Sequence, residues 1–449
     1  MIRKYDFDKT PVVEVVNNII IDASKNGASD VHFDPMTKVM KVRIRIDGVL
    51  VDYTEIPNSI KKNLVTRIKI LASMNITESR LPQDGAIKTT LQELNLDLRV
   101  SSLPTNLGEK IVIRLLDYTM SQAGLEHLGL SESNFRKVLT MVKAPSGIIL
   151  VTGATGTGKS TTVYSILHRL NKEDTNIITV EDPIEMDISG INQVQTNSDI
   201  GLTFANALRS ILRQDPNIIM IGEIRDTETA KIAVRASITG HLVLSTLHTN
   251  NSLNTIERLL DMDVERYLLA SALTGIVSQK LARKLCENCK SKRPTNNYEK
   301  KLFKRTLGSD VLEVYNAEGC EQCGNGYKGR TSIHEVLLIN EAIRDAISNN
   351  MSKDKLRTLV YNADVTTLLQ DGLEKVRDGE TSFEEMLKLI ELDNDVADSA
   401  DSAFDLKEAL KVTNLTKKGS DNNEEVETKV QEPIKPQEPK YDGDIEVLL

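Results

Sequence analysis

A glycine-rich stretch carries the clearest chemical signal in this 449-residue chain. The stretch LVTGATGTGKSTT fits the pattern GxxxxGK[ST], and an apolar strand before it and a helical segment after it make a chance turn the weaker interpretation. In such a loop, backbone N–H groups surround phosphate oxygens, Lys159 reaches the β- and γ-phosphates of ATP, and the Ser160 hydroxyl binds Mg²⁺. The predicted nucleotide-binding residues are Gly153, Ala154, Thr155, Gly156, Thr157, Gly158, Lys159, Ser160 and Thr161.

Hydrolysis of a bound nucleotide also needs a group that positions or deprotonates a water molecule. One acidic candidate downstream of the loop is TVEDPIE, which contains Glu181, Asp182 and Glu185. It lies where a predicted apolar strand meets a proline-containing turn, and ligands of parallel sheets bind outside the carboxyl ends of the strands. This stretch is therefore a candidate source of catalytic carboxylates.

The other acidic candidate is IIMIGEIRD, in which four apolar residues are followed by glycine and Glu223. A short apolar strand that ends in an acid is the usual shape of a Walker B element, although here the acid is glutamate and is offset by one glycine. Glu223 could instead form a surface ion pair with Arg225 or Arg213. These residues alone leave catalysis and a surface ion pair about equally open.

Two histidines flank another predicted strand, in TGHLVLSTLHTN. His241 and His248 are seven positions apart, which places them on opposite faces of an alternating strand, so we do not expect them to share a metal ion. His248, at the carboxyl end of the strand, could contact the γ-phosphate. A hydrogen-bonded structural role remains open for both residues.

The four cysteines form two CxxC pairs separated by 30 residues. Paired thiolates suit tetrahedral Zn²⁺, and in a cytosolic chain this pattern favours zinc over disulfides, with a redox-active CxxC as the alternative. We expect His334, in the predicted strand SIHEV, to be structural rather than a further ligand. The predicted zinc ligands are Cys286, Cys289, Cys320 and Cys323.

The elements that must position these residues change in kind along the chain. Before the glycine-rich loop, a helix, a hairpin with an Asp-Gly turn and two further strands indicate a small α+β domain. Around the loop, apolar strands alternate with helices, which predicts a parallel sheet with crossover helices. The predicted domains are an α+β domain (1–118), an ATPase core (121–284), a zinc module (285–329), a helical C-terminal region (330–392) and an acidic disordered tail (393–449).

Composition limits the classes of function. The chain has 40% hydrophobic residues but no apolar run long enough to span a membrane and no signal-peptide core, so we expect a cytosolic protein. Residues 393–449 hold 15 acidic and seven basic side chains, which accounts for −8 of the net charge of −9. The nearly neutral body and the aromatic content of 4% argue against nucleic acid as a partner.

In their order, the motifs GATGTGKS, TVEDPIE, ALRSILRQDPNIIMIGEIRD and TGHLVLSTLHTN resemble those of the secretion ATPases of type IV pilus and type II secretion systems. The resemblance covers about Pro11 to Ile390. It implies an α/β fold, with a RecA-like P-loop motor and an N-terminal PAS-like domain. It also implies a hexamer that hydrolyses ATP at the cytoplasmic face of the inner membrane and acts on a membrane platform protein to assemble pilin-like subunits.

The resemblance also implies roles for individual residues. Glu223 matches the catalytic glutamate, Glu185 a residue that helps to place water or Mg²⁺, and His248 a contact to the phosphates. Arg99 in DLRVS and Arg114 in IVIRLL match arginines that the N-terminal domain offers to the nucleotide. From the residues alone, a surface charge on a strand is the favoured interpretation of both arginines, and only the resemblance reverses it.

The cysteine quartet resembles the zinc module of the assembly and secretion ATPases, which the retraction ATPases of pili generally lack. We therefore predict an assembly motor for a type IV pilus, a competence pseudopilus or a type II secretion system. A retraction motor on the same fold is the nearest alternative. A nucleic-acid translocase and a nucleotide-sensing scaffold without hydrolysis are more distant ones.

Overall fold

The computed structural model describes residues 5–7, 9–116, 124–362 and 364–391. The predicted disordered tail, 393–449, lies outside the described residues. The strands are β1 (Ala28–Pro35), β2 (Val39–Ile46), β3 (Val49–Pro57), β4 (Gln83–Leu91), β5 (Leu94–Thr105), β6 (Gly108–Leu116), β7 (Gly147–Thr152), β8 (Ile177–Glu181), β9 (Asn192–Gln195), β10 (Ile218–Ile221), β11 (Leu242–Leu247), β12 (Leu273–Leu285), β13 (Lys290–Pro294), β14 (Glu313–Ala317) and β15 (Tyr327–Leu338).

Most helices of the described residues lie between or after the strands of the motor, and two belong to the N-terminal region. They are α1 (Val12–Lys25), α2 (Asn58–Leu71), α3 (Glu132–Val142), α4 (Lys159–Leu170), α5 (Phe204–Ile211), α6 (Thr227–Ile238), α7 (Ser252–Asp261), α8 (Arg266–Ala272), α9 (Asn297–Leu307), α10 (Glu341–Ser348), α11 (Lys353–Asn362), α12 (Leu368–Arg377) and α13 (Phe383–Glu391). None of the helices in the described residues is long and apolar enough to cross a membrane.

In the described part of the chain, the N-terminal strands form a six-stranded antiparallel sheet in the order β3–β2–β1–β6–β5–β4. Helices α1 and α2 cover one face, and α1 buries apolar side chains three to four positions apart, such as Val16, Ile19, Ile20 and Ala23. The predicted hairpin is confirmed as β2 and β3. Its two turn residues, 47 and 48, have φ values of +48° and +83°, as a type I′ turn requires.

The second sheet of the described residues has seven strands in the order β15–β12–β7–β11–β10–β8–β9. All neighbours are parallel except β12 and β15, which are antiparallel. Every residue of β7, β8, β10 and β11 is buried, because helices pack on both faces of the sheet. The carboxyl ends of these four parallel strands therefore lie at one edge of the sheet. The glycine-rich loop, the acids of TVEDPIE, Glu223 and His248 lie at that edge.

Strand β15 extends the motor sheet beyond the boundary expected from the sequence. The predicted helical region, 330–392, begins with most of this strand, whose backbone pairs with β12 from Gly275 to Leu285. The helices expected there follow as α10 to α13. The two-stranded sheet of β13 and β14 lies within the predicted zinc module, between its two cysteine pairs. The remaining domain boundaries stay predictions.

Candidate functional site

The glycine-rich loop connects β7 to α4 at the carboxyl edge of the motor sheet. Gly153 has φ of +151° and Gly158 has φ of +86°, conformations that residues with side chains rarely adopt. A Cβ atom on Gly153 would also lie 2.5 Å from the backbone oxygen of Gln279 on β12. The spacing of these glycines thus serves both the sharp turn and the close approach of a neighbouring strand.

Lys159 begins α4 and is buried, with 9% of its surface exposed. Its Nζ donates 2.9 Å hydrogen bonds to the carbonyl oxygens of Gly153 and Ala154. Burial lowers the pKa of Lys159, while the charge of Glu223 partly offsets that effect. The ammonium group is thus held within the loop, where the β- and γ-phosphates bind in P-loop enzymes.

A cavity of about 1090 Å³ opens beside the loop. Ser160, the predicted Mg²⁺ ligand, lines this cavity. Gly153, Ala154 and Thr157 do not line it and instead stabilise the conformation of the loop. The Thr157 hydroxyl, for example, donates a 3.0 Å hydrogen bond to the Ala154 carbonyl. The loop residues that line the cavity are Thr155, Gly156, Gly158, Lys159, Ser160 and Thr161.

Glu223 lies in the short connection between β10 and α6 and faces this cavity. The connection is fixed from both sides, because the Gly222 N–H donates to the Val180 carbonyl and the Ile224 N–H donates to the Thr246 carbonyl. The following helix is capped by Asp226, which accepts from the first turn of α6. The position of Glu223 therefore follows from neighbouring strands rather than from its own side-chain contacts.

The Glu223 carboxylate has two basic side chains as neighbours, Arg225 and His248. An Arg225 guanidinium nitrogen lies 2.5 Å from Oε1, and Nε2 of His248 lies 3.3 Å from Oε2. Burial would raise the pKa of Glu223, but the hydrogen bond and charge of Arg225, together with His248, lower it overall. The ion pair with Arg225 considered from the sequence thus exists within the cavity, while Arg213 bonds to the Arg209 carbonyl instead.

The two histidines of TGHLVLSTLHTN occupy opposite ends of β11. His248 follows the carboxyl end and lines the cavity beside Glu223. His241 precedes the amino end, where its Nδ1 lies 3.0 Å from the carbonyl oxygen of Ala236. The structure therefore separates the pair, and only His248 reaches the candidate site.

The three acids of TVEDPIE have different surroundings. Glu181 is buried and accepts hydrogen bonds from Thr179 at 2.6 Å, from Gln193 at 3.1 Å and from the hydroxyl of Tyr164. Glu181 lines the cavity, but these contacts occupy its carboxylate and stabilise the stretch. Asp182 and Glu185 also line the cavity, and each faces an arginine, Asp182 at 3.5 Å from Arg225 and Glu185 at 2.9 Å from Arg99.

Arg99 and Arg114 reach the same cavity from the polar face of the N-terminal sheet. They are directly opposite each other on β5 and β6, although 15 residues separate them in the sequence. Like charges in this position are destabilising unless anions lie nearby. Arg99 lies 2.9 Å from Glu185 of the motor, and Arg114 lies 3.2 Å from Asp30 on β1. The cavity is thus bordered by two cations that a polyphosphate can neutralise.

Three further residues at the site stabilise the groups described above. Gln279 on β12 bonds to the glycine-rich loop, Tyr164 on α4 links Glu181 to the backbone N–H of Glu185, and Arg225 contacts Glu223. Arg225 lies in the motif IIMIGEIRD, where the sequence predicts it only as the partner in a surface ion pair. For Gln279 and Tyr164, nothing in the local pattern indicates the contact, because each partner comes from a different element.

The cysteine quartet forms a second candidate site, at the joined ends of β12 and β15. Sγ–Sγ distances of 4.0, 3.5 and 3.6 Å separate Cys286 from Cys320, Cys289 from Cys323 and Cys320 from Cys323. Zn–S bonds of about 2.3 Å in a tetrahedron place sulfur atoms about 3.8 Å apart, so these thiols fit one zinc ion. Among the described residues, these four form the cluster that could hold a metal, and the buried His334 is not part of it.

A family model and individual relatives both match this chain over most of its length. The model of a family described as "Type II/IV secretion system protein" matches residues 6–388. The chain is 44% identical to the type II secretion system ATPase E of Vibrio cholerae serotype O1, over 85% of this chain and 76% of that protein. It is 45% identical to the type IV pilus assembly ATPase PilB of Myxococcus xanthus, over 85% of this chain and 68% of that protein.

Solved structures show the same fold. The pilus retraction motor PilT, with bound ADP, is 28% identical and superposes with a TM-score of 0.58, covering 83% of this chain and 96% of that one. The ATPase DotB of Legionella pneumophila has a TM-score of 0.63 at 20% identity, covering 86% of this chain and 97% of the other, and this likeness concerns the fold alone.

Proposed function

The chain belongs to the type II/IV secretion system protein family, and from that premise we propose that it hydrolyses ATP to drive assembly of a pilus or pseudopilus. The resemblance inferred from the motifs is thereby confirmed, as is the α/β fold of a secretion ATPase. The appendage is a type IV pilus, a competence pseudopilus or a type II secretion pseudopilus.

The observation that carries the proposal is the meeting of the phosphate loop and Glu223 in one cavity. The loop offers N–H groups and the Lys159 ammonium to phosphate oxygens, and these donors suit a nucleoside triphosphate. Glu223 stands where a water molecule beside the γ-phosphate can be oriented and can lose its proton. Its lowered pKa keeps the carboxylate ionised at neutral pH, so it can accept that proton.

Residues of the loop and of the neighbouring connections bind and orient the substrate. Lys159 neutralises charge on the β- and γ-phosphates, and the Ser160 hydroxyl would hold Mg²⁺, which supplies further positive charge to the phosphates. His248 keeps one oxygen of Glu223 in place through its 3.3 Å contact. Glu185, in the connection that follows β8, completes the set and helps to place water or the metal.

Arg99 and Arg114 act as the cationic wall opposite the loop. The Arg99–Glu185 contact joins the N-terminal sheet to the motor, so a triphosphate that attracts Arg99 also releases Glu185 towards the reacting groups. Charge neutralisation by arginines that enter a nucleotide site accelerates other P-loop enzymes by roughly 10³ to 10⁵. The same exchange of partners offers a route by which ATP binding moves the N-terminal domain against the motor.

Assembly is favoured over retraction because the relatives named for assembly and type II secretion are 45% and 44% identical, against 28% for the retraction motor. The zinc-compatible quartet supports the same branch. We further propose a hexameric ring at the cytoplasmic face of the inner membrane, where its motion passes to a platform protein. A bound zinc ion would cross-link β12 to β15 and leave the chemistry to the motor.

The decisive test removes the gene from the organism that encodes the chain and restores it as wild type or as Glu223→Gln. Surface filaments are counted by electron microscopy, and secreted proteins are compared by gel analysis. We expect deletion to abolish filaments or secretion, and wild type to restore them. Glu223→Gln should not, because an amide cannot accept the proton from water.

Two outcomes would contradict this proposal. A deletion strain that produces more filaments than wild type would identify a retraction motor. Full restoration by Glu223→Gln, at wild-type protein level, would show that the activity does not require ATP hydrolysis by this residue.

A further inference from the structure

Gln279 is a buried polar residue that joins the nucleotide-binding loop to a strand outside the motif. It lies on β12 and is 2% exposed. Its Nε2 donates a 2.5 Å hydrogen bond to the carbonyl oxygen of Thr157, and its Oε1 accepts a 2.7 Å hydrogen bond from the hydroxyl of Thr162 on α4. One side chain therefore holds both the loop and the first turn of the helix that follows it.

Chemistry determines which end of the Gln279 amide faces which partner. A carbonyl oxygen can only accept a hydrogen bond, so the nitrogen must face Thr157 and the oxygen must face Thr162. Gln279 also lies against two glycines of the loop, since a Cβ atom on Gly153 would approach its backbone oxygen at 2.5 Å and one on Gly158 its Nε2 at 3.1 Å. The contact is thus close, directional and specific to an amide.

The direction of the Thr157 carbonyl has a consequence for phosphate binding. The peptide between Thr157 and Gly158 is planar and trans, so its C=O and N–H bonds point in opposite directions. While the carbonyl is directed at Gln279, the Gly158 N–H points away from β12. Backbone N–H groups of this loop are the donors that surround phosphate oxygens, and Gly158 lines the cavity.

We propose that Gln279 is a positioning residue for ATP, which acts by holding the Thr157–Gly158 peptide in the orientation that presents an N–H to the phosphates. Through Thr162 it also ties the start of α4 to the same strand. The inference rests on the proposed function to the extent that the loop binds ATP. It assigns to β12 a part in nucleotide affinity that the motif itself does not include.

The test compares Gln279→Met and Gln279→Glu with wild type in the full chain. Methionine keeps the length and loses both hydrogen bonds, while glutamate keeps an acceptor for Thr162 and places a carboxylate against the Thr157 carbonyl. Binding of a fluorescent ATP analogue and steady-state kcat and KM are measured, with thermal unfolding as a check on folding. We expect the Kd and KM of both variants to rise about tenfold or more, with a smaller change in kcat.

Two further variants separate positioning from packing. Thr162→Val removes only the hydrogen bond to the helix, so we expect a smaller rise in KM than for Gln279→Glu. Lys280→Met is the matched control on the same strand, because Lys280 donates to the carbonyl of Leu389 and does not line the cavity. It should leave nucleotide affinity unchanged even if it lowers the unfolding temperature.

The proposal is overturned if both Gln279 variants bind the analogue with wild-type affinity, or if their unfolding temperatures fall while KM stays constant. If Gln279→Met does not fold, the Gln279→Glu and Thr162→Val pair still decides between the outcomes. A wild-type chain that binds the analogue but does not hydrolyse ATP would contradict the proposed function alone, since the affinity comparison remains valid.

Discussion

The two large sheets contribute to the same cavity in different ways. The parallel motor sheet supplies its groups from loops that follow fully buried strands, whereas the antiparallel N-terminal sheet supplies Arg99 and Arg114 from the middle of strands on its polar face. The side chain of Glu223 is 18% exposed, against 25% for Arg99 and 59% for Arg114. Glu223 is therefore more shielded from water than either arginine, whereas His248 and Glu185 of the motor are 50% and 37% exposed.

The different exposure of Glu223 and the two arginines affects the free energy of substrate binding. Groups held by buried neighbours cost little reorganisation when the substrate binds, and their charges act in a medium of lower dielectric constant. Under the proposed function, the arginines would have to leave carboxylate partners and lose conformational freedom before they contact phosphate. We infer that the parallel sheet carries the chemistry, while the antiparallel sheet makes that chemistry depend on the position of a second domain.

The strongest test of this comparison is Glu223→Gln. We expect kcat to fall about 10³-fold, within the range that general acid–base groups contribute, while ATP binding is retained. Steady-state ATPase assays and binding of a fluorescent ATP analogue measure the two effects separately. Glu257→Gln, on α7 and outside the cavity, is the matched control. Unchanged turnover in Glu223→Gln would remove the motor sheet from the chemical step.

The next test concerns the two arginines of the N-terminal sheet. We expect Arg99→Ala to lower kcat by about 10- to 100-fold, less than a single finger in other P-loop enzymes because Arg114 remains. Arg114→Ala should have the smaller effect, since that side chain is more exposed and its partner Asp30 belongs to its own sheet. The exposed Arg136 on α3 provides the control variant Arg136→Ala. Equal and negligible effects would make both arginines surface charges.

A smaller effect is expected from Arg225→Met, measured as a pH profile of kcat/KM. Burial alone would raise the pKa of Glu223, and Arg225 contributes most to the lowering that outweighs it. Glu223 can act as a base only above its pKa. Removal of Arg225 therefore raises that pKa and moves the acid limb of the profile to higher pH. An acid limb that stays in place would show that another group controls it.

The zinc module is expected to affect the cavity least, since none of its four cysteines lines it. We expect one zinc ion per chain in metal analysis of the reduced protein. Cys289→Ser should lose the ion and lower the unfolding temperature, while KM for ATP stays unchanged. Asn288→Ala, between the ligands of the first pair, should keep the zinc. A large rise in KM on zinc loss would show that the module also shapes the nucleotide site.

Much of the fold could be predicted because its signals are local. The Asp-Gly turn at 47–48 indicates the β2–β3 hairpin, and the buried strands β7, β8, β10 and β11 appear as short apolar runs. The strand β15 is a contrast, since it joins the motor sheet only by pairing with β12 across the intervening zinc module. Its place in the sheet depends on hydrogen bonds to a strand that is distant in the sequence, which the local pattern of β15 does not indicate.

The residue types and spacing of short motifs already identify the groups that can do chemistry, namely the phosphate loop, Glu223, His248 and the two CxxC pairs. The tertiary structure alone decided which of them meet. It placed Arg99 beside Arg114, occupied Glu181 with Tyr164, and set Gln279 against the loop. These contacts come from strand pairing and packing between distant segments, and a local pattern does not contain the register that creates them.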